Sequence, residues 1–355
     1  FGDLAKPEVT GFVLGIRVFS TIIFFSAFIS VLYYLGIIQW IIVGIARVMR
    51  WTLRTSGAET LSCSGNIFVG MTESPLLIKP YLEQMTASEL FAVMAGGFAT
   101  IAGSVLAIYI GFGISAHHLM VASVMSAPAA LVMAKIMYPE TESSLTAGQV
   151  KLPKIDAGIN VVDAAVRGTT DGLRLALNVI AMLISFLALI AVLDKILAGC
   201  DYVIDHRLLG GAVFEIGDRK EYAGIFPGSL RTLFGVIFSP VAFLLGVPWQ
   251  DIREMGNLLG TKICANEMIA YNRLAQIQQD LSPRTVVIAT YALCGFANFG
   301  SVGITIGGIA ALAPGRRTDL ARMGIKAMFA GALASWMTAA IAGILISDFG
   351  LQIAD

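Results

Sequence analysis

Long apolar runs alternate with short polar segments along the whole chain. A helix needs roughly 20 apolar residues to cross the hydrocarbon core of a bilayer. Runs that approach or exceed this length occupy residues 18–46, 89–115, 118–138, 175–198, 285–312 and 320–347. We therefore predict at least six segments at membrane depth. Polar connections fall at 139–158 and 206–224, and we expect the second to contain an amphipathic helix lying in the membrane interface.

Composition points to the same class of protein. The chain is 57% hydrophobic and 14% charged, whereas a soluble domain usually carries about a quarter charged residues. We interpret it as an all-α, polytopic integral membrane protein. Its net charge of zero gives no basic surface for nucleic acid. The four cysteines are far apart and form no C-x-x-C pair, so neither a disulfide framework nor a zinc site is expected.

A stretch in the first half of the chain resembles a stretch in the second half. "GFATIAGSV" (97–105) and "GFANFGSVG" (295–303) share Gly-Phe-Ala, a small polar residue, and then Gly and Ser in the same neighbourhood, at an offset of 198 residues. Upstream, Asn66 and Asn266 are offset by 200. The alternative is coincidence, because small residues are common wherever membrane helices pack closely. We favour an internal repeat, and glycine-interrupted apolar segments in corresponding halves indicate a transporter's binding site.

The stretch "NIFVGMTESPLLIKP" (66–80) is the first such interruption. Pro75 removes a backbone donor and biases the preceding residue away from the helical region, so we predict a break near Thr72 to Ser74. Glu73 falls at this break. A carboxylate at mid-membrane costs on the order of 3 kcal/mol, which favours a functional role. The alternative is a structural ion pair between Glu73 and Lys79 or another base.

The second interruption is "GNLLGTKICANEMIAYNRLA" (256–275). Here Glu267 is predicted to face an aqueous cavity, and the alternative is an ion pair with Lys262 or Arg273. A third stretch, "CGFANFGSVG" (294–303), supplies an aromatic ring, an amide and a hydroxyl within one short run rich in small residues. These belong to Phe296, Asn298 and Ser301.

The motifs in their order resemble those of a known family. "GMTESPLLIKPYL", "GFATIAGSVL", "GTKICANEMIAY" and "CGFANFGS" are similar to the motifs of the concentrative nucleoside transporters, and the resemblance covers essentially the whole chain. One or two N-terminal membrane helices of the family pattern are expected to be missing. One position departs from the pattern, because Met71 stands where the family usually has Gln before Thr-Glu, which puts the base selectivity in question.

The resemblance implies an architecture. It comprises two re-entrant hairpins, unwound helices and an inverted repeat, divided into a scaffold and a transport domain that moves like an elevator within a homotrimer. Four segments follow: a scaffold helix (1–50), the first transport repeat (51–138, hairpin about 56–80), linkers with a scaffold helix (139–247), and the second repeat (248–355, hairpin about 250–275, unwound helix around 295–303).

The resemblance also implies a binding site. The base would face Met71, Thr72, Glu73 and Val105, and the ribose would be held by Glu267, Asn298 and Ser301, with Phe296 against the substrate. A sodium ion would be bound by the side chains of Asn66 and Thr100 and by the backbone carbonyls of Val69 and Ile101.

The function implied is sodium-coupled import of purine or pyrimidine nucleosides across a plasma membrane, such as a bacterial inner membrane. Sodium is the coupling ion, and no other cofactor is expected. Coupling to protons is the runner-up. A channel or an intramembrane enzyme is a remote alternative, because the chain contains neither H-E-x-x-H nor G-x-S-x-G.

Overall fold

The computed structural model describes residues 14–146, 158–216 and 219–348. Within these ranges the chain is almost entirely helical, as the hydrophobic pattern predicts. The α-helices are α1 (Leu14–Tyr34), α2 (Ile37–Leu53), α3 (Gly57–Gly65), α4 (Ala87–Ala99), α5 (Gly103–Gly111), α6 (Ala116–Met137), α7 (Val161–Asp201), α8 (Leu230–Leu244), α9 (Ile252–Cys264), α10 (Glu267–Ile277), α11 (Pro283–Leu293), α12 (Phe299–Leu312) and α13 (Arg317–Asp348). Shorter 3₁₀ helices cover Ser74–Gln84, Trp249–Asp251 and Pro314–Arg316, and a π helix covers Tyr202–Leu208.

Three helical stretches within the described ranges are long and apolar enough to cross a membrane: Ala87–Gly111, Ala116–Met137 and Pro314–Ile346. A further candidate is bent by 77° between α1 and α2. The sequence predicted a single apolar run over 18–46, and the bend divides this run into two helices. Gly36 makes it possible, since its φ of 81° lies in a region that glycine adopts readily. The apolar pattern continues across Gly36 and therefore does not reveal the bend.

The longest helix, α7, is continuous over 41 residues. It packs along α1 through two glycines. A Cβ on Gly168 would lie 2.6 Å from the Cβ of Ser30, and one on Gly172 would lie 2.8 Å from the Cβ of Ser26. The Ser30 hydroxyl also donates to the Ala164 carbonyl at 2.8 Å. Close approach through small residues is typical of membrane helices.

The connection at 206–224 differs from the amphipathic helix expected there. The strands β1 (Val213–Ile216) and β2 (Arg219–Tyr222) pair antiparallel after the π helix. Gly210 has a φ of 69°, which ends the helix. The carboxylate of Asp205 accepts hydrogen bonds from two backbone amides just after β2, at 3.1 and 2.8 Å. A helix stop and a buried carboxylate therefore produce a hairpin.

The buried apolar side chains form two main clusters. One surrounds α3 and α4, and the other surrounds α9, α10 and α11. The helix α13 contributes alanines and methionines to the first cluster and alanines to the second. It therefore packs against both interrupted regions.

Candidate functional site

The first interrupted region is a helical hairpin. Its arms are α3 and the 3₁₀ helix Ser74–Gln84, and residues 66–73 between them form no regular helix. The break therefore includes the predicted position at Thr72 but begins earlier, at Asn66. The second arm starts with Pro75 at its first turn, where a missing backbone donor is tolerated.

Two further helices are interrupted, and their breaks lie directly against each other. Between α4 and α5 the backbone becomes extended at Thr100, with φ −111° and ψ 163°. Between α11 and α12, Gly295 has a φ of 115°. A Cβ at Gly295 would lie 2.6 Å from the carbonyl oxygen of Phe98 and 2.7 Å from that of Ala99. Because no side chain fits there, glycine allows the two unwound segments to touch.

The tip of the first hairpin lies between α4 and α12. A Cβ on Gly97 would lie 2.9 Å from the Cβ of Met71, and a Cβ on Gly308 would lie 2.9 Å from Cγ2 of Thr72. The Thr305 hydroxyl donates to the sulfur of Met71 at 3.3 Å. Two of the residues predicted to face the base therefore contact both broken helices.

Glu73 lies at the same tip and is exposed. Its carboxylate folds back over Gly70, where a Cβ would collide with Oε2. Lys79 is also exposed, and within the described residues no ion pair joins it to Glu73. The ion pair with Lys79 is therefore not formed, and the role of Glu73 in binding stays a prediction.

Glu267 begins α10, the second arm of the other hairpin, and is 5% exposed. Its Oε1 accepts a hydrogen bond from the Tyr109 hydroxyl at 3.1 Å, and its Oε2 accepts one from the side-chain amide of Asn298 at 3.0 Å. Each oxygen retains capacity to accept another donor. The structure therefore brings together α5, the second hairpin and the second break around one carboxylate.

Lys262 and Arg273 were the two ion-pair partners considered for Glu267. Neither side chain forms a hydrogen bond with it. Lys262 is fully buried, and its ammonium donates to the carbonyls of Ala292 and Cys294 at 2.9 and 3.2 Å. These carbonyls lie at the C-terminus of α11, where a helix has unpaired acceptors and a partial negative charge. Arg273 instead pairs with Glu254 at 3.3 Å. Lys262 therefore stabilises the break beside the carboxylate.

Asn298 has two roles at the start of α12. Its side-chain oxygen accepts a hydrogen bond from the backbone of Ser301 at 2.9 Å, as an N-cap does, while its amide nitrogen binds Glu267. Ser301 and Thr305 are buried and lie one turn apart on α12. A line of contacts therefore leads from Glu267 through Asn298 and along α12 to Met71.

The remaining predicted substrate residues lie in the apolar surroundings. Val105 is buried and Phe296 half-buried, and both belong to the cluster around the second hairpin. Tyr109, one turn after Val105, stacks on Tyr271 with 4.3 Å between ring centroids. Sequence reasoning missed Tyr109, Lys262 as a carbonyl donor, and Thr305. The available signal for Tyr109 was its position four residues after Val105, on the same helix face.

The predicted cation ligands lie on the first hairpin and at the first break, which contact each other. The Phe68 carbonyl accepts a hydrogen bond from the backbone of Gly103 at 3.2 Å, which joins the hairpin tip to the start of α5. Asn66 is 1% exposed, and its side-chain oxygen has no hydrogen-bond partner. Such an atom costs about 1–3 kcal/mol unless something else binds it. A cation that prefers oxygen ligands fits this position.

Thr100 and Ile101 come directly after α4, whose Gly96 lies close to Asn66. Thr100 donates its hydroxyl proton to the Gly96 carbonyl at 2.8 Å, which leaves the hydroxyl oxygen able to accept. A Cβ on Gly96 would lie 3.4 Å from the amide nitrogen of Asn66. In the part of the chain described, no cluster of three or more His, Cys, Asp or Glu side chains could hold a metal ion.

Two family models match the chain. One, described as "Na+ dependent nucleoside transporter C-terminus", matches residues 118–343. The other, described as "Nucleoside recognition", matches residues 15–116. Together they cover both hairpins and both helix breaks.

Several curated proteins are similar over nearly the whole chain. An uncharacterized transporter of Haemophilus influenzae is 45% identical over 98% of this chain and 80% of its own length. Sodium/nucleoside cotransporter 1 of Mus musculus is 41% identical over 99% of this chain and 53% of its own length. Human solute carrier family 28 member 3 is 41% identical over 98% of this chain and 49% of its own length. The chain thus spans about half the length of these mammalian relatives.

Solved structures of the protein CNTnw have the same fold. Its inward-facing, substrate-bound structure is 41% identical, with a TM-score of 0.87 over 100% of this chain and 81% of that chain. A variant of CNTnw in an outward-facing state gives a TM-score of 0.86 at 40% identity, over 98% and 80% of the two chains.

Proposed function

Because this chain belongs to the concentrative nucleoside transporter family, we propose that it moves nucleosides across a membrane by secondary active transport, with sodium as the coupling ion. The family consists of multi-pass membrane transporters and not of enzymes. The observation that carries the proposal is Glu267, a buried carboxylate held by Tyr109 and Asn298 where a hairpin meets a broken helix.

In this proposal Glu267 binds the ribose. A carboxylate can accept hydrogen bonds from two vicinal hydroxyls at once, and bonds to a charged acceptor are roughly twice as strong as neutral ones. Asn298 and Ser301 supply further polar groups, and Phe296 provides an aromatic surface. Free bases and deoxy analogues should therefore bind more weakly than ribonucleosides.

The base is assigned to the other side of the site. Met71 and Thr72 lie at the tip of the first hairpin, Glu73 is exposed beside them, and Val105 contributes an apolar wall. The thioether of Met71 is a weak acceptor and no donor. This part of the site should distinguish bases mainly by shape and stacking.

Sodium is assigned to Asn66, Thr100, and the backbone carbonyls of Val69 and Ile101. The support is the unpartnered, buried oxygen of Asn66, together with the extended backbone at Thr100. Broken membrane helices supply carbonyl ligands to coupling ions in other transporters. Because these ligands lie on the first hairpin and the first break, sodium would stabilise the hairpin position that the substrate also contacts.

For the movement we propose an elevator mechanism in a homotrimer. The two halves have the same order of elements, namely a hairpin, a broken helix and a long helix, which supports an internal repeat. We propose that its two copies are inverted. We assign 51–138 and 248–355 to the mobile domain, and 1–50 and 139–247 to the scaffold. CNTnw has structures in inward-facing, intermediate and outward-facing states. Bacterial and mammalian homologues favour a plasma membrane location, and we propose a bacterial inner membrane.

Uptake into proteoliposomes tests this function. Labelled uridine and adenosine should accumulate above their external concentration only when a sodium gradient is imposed. A pH gradient in sodium-free medium tests proton coupling, which is the second candidate. Gradient-limited equilibration would indicate a channel, and chemical conversion of the nucleoside would indicate an enzyme. Either result would contradict the proposal.

A further inference from the structure

The helix α2 has an exposed apolar face. Ile37, Trp40, Val48 and Trp51 are spaced so that they lie on one side of the helix, and the two tryptophans are 80% and 82% exposed. The opposite side, with Ile38, Ile42 and Met49, is buried in the core. Tryptophan is enriched at the boundary between lipid and water because its ring is apolar and its N–H is polar.

Arginines form a row beside this apolar face. Arg47, Arg50 and Arg54 are spaced by three and four residues, and Arg47 and Arg54 are exposed. Residues 9–58 contain four arginines and no Asp or Glu. This stretch of the chain is therefore strongly positive next to an exposed, tryptophan-rich surface.

The same arginines border two depressions. Arg47 and Arg50 line one together with Gly57, Thr60 and Leu61 at the start of the first hairpin. They line the other together with Val48 and Trp51. An anionic group in the first depression would contact guanidinium donors, which suit phosphate geometry, and a chain attached to that group could lie along the tryptophans.

We propose that Arg47 and Arg50 bind the phosphate of an anionic phospholipid whose acyl chains lie along the tryptophans of α2. The 77° bend between α1 and α2 turns α2 away from the axis of α1. A basic amphipathic helix with tryptophan on its apolar face is typical of the boundary between lipid and water, where anionic headgroups lie. A contact between two copies of this face would instead bring arginines against arginines, whereas lipid phosphate complements their charge.

Binding of a labelled phosphatidylglycerol to the purified full chain in neutral detergent tests the assignment. Replacing Arg47→Gln and Arg50→Gln together should weaken binding by about 25-fold, since one basic side chain near an anionic surface contributes about fivefold. Phosphatidylcholine should bind weakly to both proteins. The matched control is Arg317→Gln with Arg322→Gln, which removes two exposed charges elsewhere and should change binding less than twofold.

Three results would overturn the proposal: unchanged binding in the Arg47/Arg50 variant, an equal loss in the control, or displacement of the lipid by soluble glycerol phosphate. The last result would indicate a site for free phosphate.

A second measurement does not depend on the arginine variants. In vesicles containing brominated phosphatidylglycerol, the difference in fluorescence between the parent and Trp51→Phe should reveal quenching of Trp51 by the lipid. No quenching would exclude a lipid bound along this face. Disulfide formation between copies through Trp51→Cys would show that this face is a subunit contact, and would also contradict the proposal.

Discussion

The carboxylate of Glu267 and the side-chain amide of Asn298 are joined by a hydrogen bond of 3.0 Å, and both residues start a helix at an interruption. Glu267 is the first residue of α10, and Asn298 is the N-cap of α12. Because the bond is buried, it has little competition from water. In the proposed function, a nucleoside bound to this pair would contact a hairpin and a broken helix at once, so its binding would affect the packing of both.

The first prediction concerns ribose recognition. Replacing Glu267→Gln preserves the shape of the side chain but removes its charge. We expect uridine or adenosine binding to weaken by about 1.5–3 kcal/mol, the contribution of hydrogen bonds to a charged group. Isothermal calorimetry on the purified protein would measure the change.

The control for this variant is Glu142→Gln, which neutralises an exposed carboxylate and should leave affinity unchanged. The parent and Glu267→Gln should bind 2′,3′-dideoxyuridine with almost equal affinity. This ligand lacks the two ribose hydroxyls that would donate hydrogen bonds to the carboxylate. Retention of full uridine affinity by Glu267→Gln would refute the ribose assignment.

The second prediction concerns sodium. Thr100→Val replaces the hydroxyl group at the proposed cation site by a methyl group. The volume of the side chain stays similar. We expect the sodium concentration for half-maximal uptake to rise at least about tenfold, which corresponds to about 1.4 kcal/mol. Uptake as a function of sodium at fixed pH and constant ionic strength measures this effect.

The chain supplies a matched control in Thr290→Val. Thr290 and Thr100 both donate to the carbonyl four residues earlier at 2.8 Å, and each lies close to a helix break. Thr290 is not among the proposed sodium ligands. A similar loss of sodium affinity in both variants would mean that the hydroxyl acts only through helix structure.

The sequence predicted several residues that the structure groups together, because these residues occur in local motifs. Asn298 and Ser301 are three residues apart, so their grouping follows from a short stretch. Tyr109 was missed because it lies 158 residues from Glu267, and its position in an apolar helix is equally consistent with ordinary packing. A local pattern contains no information about that partner.

The errors in the fold have similar physical causes. Hydropathy stays high across Gly36, so the hydropathy profile does not reveal the bend of 77°. Lys262 and Arg273 were considered as ion-pair partners of Glu267 because they are close to it in sequence. In the structure, Lys262 instead donates to carbonyls about thirty residues later. The unpaired acceptors at a helix break determined the position of this ammonium, and their location depends on tertiary structure.

The third prediction tests the contact between the two breaks. Gly295→Ala places a Cβ 2.6 Å from a backbone oxygen of the first break, at a φ of 115°. Backbone strain and overpacking each cost roughly 1–3 kcal/mol, so we expect a loss of about 3 kcal/mol or more in the free energy of unfolding. Thermal stability of the detergent-solubilised protein, monitored by size-exclusion chromatography, would report it.

The comparison variant is Gly303→Ala. Gly303 lies inside α12, and a Cβ there would meet nothing within 4 Å. Alanine is favoured over glycine in a helix by about 1 kcal/mol, so stability should stay the same or rise. Equal stability of the Gly295→Ala protein and the parent would contradict the close packing of the breaks.

The last prediction concerns Met71 and the choice of base. A glutamine at this position could both donate and accept at the edge of a pyrimidine, whereas a thioether can only accept weakly and contacts aromatic rings with about 0.3–1.5 kcal/mol. We therefore expect the parent to accept adenosine, guanosine or inosine at least as well as uridine. The measurement is competition of unlabelled nucleosides against one labelled nucleoside.

In the Met71→Gln variant the ratio of uridine to adenosine affinity should rise, because the new amide can bind the pyrimidine edge. Thr305 donates to the sulfur of Met71 at 3.3 Å and would compete for the new amide, so Met71→Gln combined with Thr305→Val should shift selectivity further. Met120→Gln, at an exposed position of α6, controls for the added amide. A strong pyrimidine preference in the parent, or an unchanged ratio in Met71→Gln, would show that another residue determines the choice of base.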